Sequence, residues 1–345
     1  PGVSEIRQLE LNVNPQPLAL SSAVDGNGNM YAVDSFNKAF YMLPNRELPE
    51  VRLDSPGQLN YPVSVIAIGP TKNNVYVLDR YNHCIFQVVG NGLVVVAGTC
   101  GTASTGRSDQ GDNGPPALAR FSQAHSLERV AGAGNENKML VLDHAGTLVR
   151  LIDWSVPIIS SVPSSGSLTG ITYNPTNGLY VATESSSTFV LINATSATTQ
   201  TLYAAPTHGN IDQFSPPPTL TLSQYSQFST LGAIEWESGD TYRFIDGSLI
   251  MRVTFNSTDY FDTTTAQITT LSGTASSPYG LLPNIVDAKY RYMPSSILKN
   301  NWAQHNSVTL SRVQENFDSD SYAYYYASDY IISLTKVQFF CIETP

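Results

Sequence analysis

The stretch Val75-Tyr76-Val77-Leu78-Asp79-Arg80-Tyr81-Asn82-His83-Cys84-Ile85-Phe86-Gln87-Val88-Val89 decides the fold of this chain. A short, nearly unbroken apolar run ends in an aspartate, a polar turn follows, and a second apolar run of strand length begins. A strand buried on one face alternates apolar with polar residues. A strand buried on both faces does not, so each run reads as the middle strand of a sheet with neighbours on either side. The same order stands upstream. Ala23-Val24-Asp25 leads through Gly26-Asn27-Gly28-Asn29 to Met30-Tyr31-Ala32-Val33-Asp34, and Ser35-Phe36-Asn37 turns the chain into Ala39 to Leu43. Asp34 and Asp79 stand 45 residues apart, which is the length of one four-stranded unit.

Downstream the repeat loosens. Lys138 to Asp143 is followed by Leu148 to Asp153, and Gly178 to Thr183 follows with Thr183 in the expected place of the aspartate. Asp240 to Asp246 precedes Leu249 to Phe255, and Ser321 to Asp329 precedes Ile331 to Val337. Tyr81-Asn82-His83-Cys84-Ile85 resembles the Asn-His-Leu/Ile tripeptide of the NHL-repeat family. Val96-Ala97-Gly98-Thr99 followed by Gly111-Asp112-Asn113-Gly114-Pro115-Pro116-Ala117 is similar to an insertion common in secreted and bacterial members.

The resemblance implies an all-β chain, a single β-propeller of about six four-stranded NHL-like blades over residues 1–345. No fourth strand is evident after Phe340, while the segment 3–11 precedes the first blade with nowhere else to pair. The N-terminal strand is therefore expected to complete the last blade, leaving no open edge. Insertions near 100–116, 204–227 and 276–292 exceed what a blade connection needs, and long loops commonly carry function.

Composition narrows the function. The 345 residues are 41% hydrophobic and only 13% charged, with a formal net charge of −10. No Lys/Arg stripe offsets that charge, which excludes tracking of nucleic-acid phosphates. No apolar run reaches the roughly 18 to 20 residues of a membrane span. The chain starts at Pro1 without a signal peptide, as expected of a mature or excised segment.

Cys84, Cys100 and Cys341 lack metal-ligand spacing and are disulfide candidates, with one thiol left over. Cys84 and Cys100 flank Gly90-Asn91-Gly92. A two-residue turn at Asn91-Gly92 does not bring them opposite each other, so their pairing requires a three-residue loop or a bulge. The tripeptides at Asn193 and Asn256 are N-glycosylation acceptors, consistent with an extracellular or cell-surface location.

Gly26-x-Gly28 and Gly90-Asn91-Gly92 precede no helix and read as hairpin turns, not nucleotide loops. The strand-end aspartates Asp34, Asp79, Asp143 and Asp246 read as acceptors of backbone hydrogen bonds in the following turn. Among the histidines, His125 and His305 are the metal candidates, because relatives that cleave amidated-peptide precursors hold zinc through propeller histidines. Glu184, Glu235, Asp287 and Asn300 are of the residue types that hold a metal in lactonase-like propellers, but read as ordinary loop residues. No nucleophile elbow is present. Tyr322, Tyr324 and Tyr326 form an aromatic cluster suited to recognition, and Pro216, Pro217 and Pro218 stiffen a loop into an extended segment.

The expected protein is a non-enzymatic extracellular scaffold that binds protein or glycan, with self-association among its modes and no cofactor. The alternative is a metal-dependent propeller enzyme, amidating-lyase-like or lactonase-like, that uses zinc or calcium.

Overall fold

The computed structural model describes residues 5–10, 19–35, 37–44, 50–68, 71–105, 111–130, 134–162, 166–184, 188–193, 198–204, 207–208, 219–224, 227–228, 231–246, 249–272, 296–299, 306–314 and 336–344. Strand β1 (Glu5–Glu10) precedes sheet one, which is β2 (Ala19–Val24), β3 (Met30–Asp34), β4 (Ala39–Leu43) and β5 (Val51–Arg52). Sheet two is β6 (Pro62–Ala67), β7 (Val75–Asp79), β8 (Cys84–Val89) and β9 (Gly92–Ala97). Sheet three is β10 (Ser126–Arg129), β11 (Lys138–Asp143), β12 (Leu148–Asp153) and β13 (Ile158–Val162). Sheet four is β14 (Leu168–Asn174), β15 (Leu179–Glu184), β16 (Thr188–Asn193) and β17 (Thr198–Ala204).

Three short strands follow, β18 (Thr207–His208), β19 (Thr219–Thr221) and β20 (Gln227–Phe228). Sheet five is β21 (Leu231–Ser238), β22 (Thr241–Asp246), β23 (Leu249–Thr254) and β24 (Gln267–Ser272), with β19 added outside β24. The insertion 204–227 therefore supplies a fifth strand as well as a loop. Sheet six is β25 (Ser296–Lys299), β26 (Asn306–Gln314) and β27 (Lys336–Thr344). Its outermost member is β1, paired antiparallel with β27 from Glu5↔Glu343 to Glu10↔Gln338. The described part of the last strand is Lys336–Thr344; the stretches 321–329 and 331–335 lie outside the described residues.

The sheets are antiparallel, and their innermost strands lie side by side in the order β2, β6, β10, β14, β21, β25, with β25 also against β2. Burial on both faces explains the unbroken apolar runs. In β7, Val75 and Val77 join Tyr31, Val33 and Phe40 of sheet one in one cluster. Tyr76 and Leu78 point the other way, into a cluster with Leu127, Met139 and Val141 of sheet three. Fully burying such a side chain contributes about 1.5–3 kcal/mol. Hydroxyls link neighbouring inner strands: the Val65 amide donates to Ser21 Oγ at 3.2 Å, Leu127 to Ser64 Oγ at 3.0 Å and Trp236 to Thr172 Oγ1 at 3.0 Å.

The strand-end carboxylates Asp34, Asp79 and Asp143 hold turns at their end of the sheet. Asp79 accepts the amides of Asn60 (2.6 Å) and Tyr61 (2.9 Å), just before β6, and the amide and side chain of Asn82 in the turn into β8. Asp34 accepts both nitrogens of Asn37, and Asp143 accepts the amides of Ser122 and His144. Register corrects the sequence reading in sheet four. Glu184 pairs with Leu168 before a bulge, as Asp79 pairs with Pro62 before one, so Glu184 and not Thr183 stands at the aspartate position.

The insertion after sheet two is built the same way. Asp112 accepts from Arg150 Nη2 at 2.8 Å and from the Ser161 hydroxyl. Arg150 is fully buried on β12, donates to the Arg120 carbonyl, lies 3.7 Å from Asp143 Oδ2 and stacks over the Phe121 ring. Asn113 and Gly114 exchange backbone hydrogen bonds with Ile159, which covers the outer edge of sheet three.

Gly98 starts this connection with φ +89, and a Cβ there would sit 2.5 Å from the His83 carbonyl oxygen and 2.8 Å from Cys84 Cα. Both contacts are backbone, which cannot move aside. Gly98→Ala should cost about 2–4 kcal/mol, whereas Gly90→Ala, with φ +62 and nothing within 4 Å, should cost about 1–2 kcal/mol for conformation alone. Urea midpoints at constant m-value measure the difference, and equal losses would refute the close-approach argument.

Candidate functional site

Register picks out one inner-strand position that is polar where the fold calls for apolar. The inner-strand residue paired two places before the strand-end aspartate is Val65 in sheet two, Leu127 in sheet three and Ile234 in sheet five. The next residue is Ile66 in sheet two, but Glu128 in sheet three and Glu235 in sheet five. Arg129, beside Glu128, reaches Glu235 with Nη2 to Oε1 at 3.6 Å, so an ion pair joins the inner strands of sheets three and five past sheet four.

Ser126 Oγ donates to Glu128 Oε1 at 2.6 Å. Burial, with Glu235 adding like charge against the partial relief from Ser126, pushes the Glu128 carboxyl up to about 8. A carboxyl raised in this direction beside an ion pair is a group able to donate a hydrogen bond or a proton. The sequence analysis did not single out Glu128. Its signal was available in Ser126-Leu127-Glu128-Arg129, two adjacent charges in an inner strand whose counterpart is Ser64-Val65-Ile66-Ala67. Glu235 and Glu184 were read as loop residues; they lie in β21 and at the end of β15, because tertiary pairing overrides a local polar cue.

His125 is partly buried just before β10, and burial holds its pKa below the ordinary histidine value. Among the described residues no three His, Cys, Asp or Glu side chains converge in a metal-holding arrangement. His305, Tyr322, Tyr324, Tyr326, Pro216, Pro217, Pro218, Asp287 and Asn300 lie outside the described residues.

Cys84 and Cys100 are joined by a disulfide, and Cys341 lies in β27. The hairpin between them carries a bulge, one of the two irregularities that allow the pairing. Val89 pairs with Gly92, which puts Gly90-Asn91 at the turn, and a register shift between Ile85 and Phe86 adds the extra residue. Beyond β9 the chain folds back over the His83 turn, where the Gly101 amide donates to the Asn82 carbonyl at 2.8 Å. Asn193 ends β16, and Asn256 lies in the connection from β23 to β24.

The exposed apolar surface concentrates on the outer strand of sheet two. Val94 and Val95 are 44% and 48% exposed. Beside β9 packs the 3-10 turn Pro116–Leu118, whose Leu118 is 68% exposed. Gln58 Nε2 donates to the Leu93 carbonyl near the hairpin. Beyond it β9 is the last strand of its sheet, whereas β13 is covered by the Asn113-Gly114 segment and β24 by β19.

The sequence matches no protein-family profile and no curated protein. Solved structures do match. A structural-genomics protein of unknown function from Bacteroides thetaiotaomicron VPI-5482 superposes with a TM-score of 0.60 at 11% identity, over 99% of this chain and 77% of its own. A putative gluconolactonase gives 0.55 at 6% identity over 98% and 92%. The virginiamycin B lyase of Staphylococcus aureus gives 0.52 at 10% over 98% and 99%. The fold is a β-propeller. At such identities the likeness shows the fold alone, and the sheets are its blades. No helix among the described residues is long and apolar enough to cross a membrane.

The raised Glu128 pKa makes stability pH-dependent with a definite sign. The folded carboxyl keeps its proton up to about 8, while the unfolded one ionises near about 4.3. Stability then falls as pH rises through that window. Glu128→Gln should flatten the fall and be the more stable form at pH 8. Thermal melts from pH 5 to 8 test this, and parallel profiles for both proteins would refute it.

Proposed function

We propose that the chain is an extracellular interaction propeller of the NHL-repeat type, with six blades closed into one domain by β1 on β27, and that it binds a protein partner along the edge of blade two. The observation that carries this reading is the apolar strand Gly92–Ala97, the last of its sheet, with Val94 and Val95 exposed. An apolar edge of this kind is a template for strand addition, in which the partner's backbone completes the ladder and side chains on alternate faces set specificity. Low charge favours the same use, since few Lys or Glu side chains must be desolvated when the surface is buried.

Closure in six blades is supported by the β1–β27 pairing and by β25 lying between β21 and β2. The NHL assignment rests on the Asn82-His83 turn and on the Asp112 insertion with its Arg150 anchor. The disulfide suits an oxidising compartment, and binding of this kind needs no cofactor. The partner is a protein, a second copy of this chain included.

Val94→Lys combined with Val95→Lys should abolish the complexes seen by native mass spectrometry of the protein from its source, with the melting temperature within about 2 °C of wild type. A double variant that still assembles would overturn the edge as the binding surface. Deleting Glu5–Glu10 should lower the melting temperature and promote aggregation through the edge of β27 it leaves open. An unchanged melting temperature would refute closure by β1.

A further inference from the structure

The geometry points to N-linked glycosylation at Asn256, on the side of the propeller remote from the blade-two edge; the inference rests on the extracellular reading above. Asn256-Ser257-Thr258 lies in the connection from β23 to β24, with Ser257 and Thr258 exposed. The Thr258 amide donates to Asn256 Oδ1 at 2.9 Å and its hydroxyl to the same oxygen at 2.7 Å. Asn256 Nδ2 donates to Thr265 Oγ1 at 3.0 Å, in a solvent-exposed bond. A carboxamide nitrogen carries two hydrogens, and Thr265 takes one. The other leaves with the reaction, and the folded connection keeps all three hydrogen bonds with the sugar in place.

The chemistry requires a lipid-diphosphate-linked oligosaccharide as donor. The bond from its anomeric carbon to the diphosphate oxygen breaks, a bond from that carbon to Asn256 Nδ2 forms, the lipid diphosphate departs, and the amide proton passes to a base of the transferase. The fold then fixes where the glycan stands. The connection leaves blade five at the end of the Gly239-Asp240 hairpin, where the Phe255 amide donates to the Asp240 carbonyl at 3.0 Å. Asp246 marks the opposite end, where β22 turns into β23 and the chain enters β21. In the six-bladed closure proposed above, blade five stands three places from blade two in either direction. A glycan there shields its own face of blade five and leaves Val94 and Val95 accessible.

The test is glycopeptide mapping of the protein from its natural source, together with Asn256→Gln and Thr258→Ala variants secreted from a eukaryotic host. Occupied Asn256, with loss of one glycan in both variants and partner binding retained, is the expected result. An unmodified Asn256 beside a glycosylated Asn193 or an intact Cys84–Cys100 disulfide would overturn this inference and leave the extracellular reading standing. No glycan at all with Cys84 as a free thiol would overturn both.

Discussion

The architecture depends on a buried carboxylate at the end of the second strand of a blade. Asp34, Asp79 and Asp143 are almost wholly removed from solvent, and an unpaired carboxylate there would carry a large desolvation cost. Hydrogen bonds from backbone amides of two chain segments offset it: the turn that follows and, for Asp79 and Asp143, the approach to the inner strand. One side chain thereby fixes two connections at the same end of a sheet, and the apolar faces of neighbouring blades meet in register. At blade three Asp143 also lies beside Arg150, so the carboxylate that closes the turn helps anchor the insertion crossing from blade two.

That insertion shows how an apparent functional loop serves structure first. Asp112 neutralises a buried guanidinium, Asn113 and Gly114 cover an edge strand, and the Gly98 amide donates to the Pro116 carbonyl at 2.9 Å. Edge protection is distributed unevenly as a result. Blades three and five gain an extra segment outside their fourth strand, blade six gains β1, and blade two is left with an apolar edge that one glutamine side chain meets near the hairpin. Strand edges attract other strands, so among these four blades the edges differ in what they can pair with.

A second asymmetry lies at the inner strands. Arg129–Glu235 bridges blades that are not neighbours, and the pKa of Glu128 beside it is raised. In blade five a different arrangement appears: Glu237 accepts paired hydrogen bonds from Arg243 and Arg252, and although burial alone would raise its pKa, those contacts pull it down to about 2. Two glutamates two residues apart on β21 thus meet different environments, and only their neighbours distinguish them.

The sequence by itself determined the all-β class, the four-stranded repeat and the turn chemistry of the strand-end aspartates, because these follow from local periodicity and from hydrogen bonds between residues a few places apart. It also put Cys84 and Cys100 among three disulfide candidates and required an irregular hairpin for their pairing. Only the tertiary structure decided that Glu184 and not Thr183 holds the aspartate position, that Gly90-Asn91 makes the turn, that Glu128 and Glu235 share one inner-strand level, and that β9 is the last strand of its sheet with Val94 and Val95 exposed. Each of these depends on which strand lies against which, and such pairings are set by burial between segments far apart in the chain, a quantity that no local pattern contains.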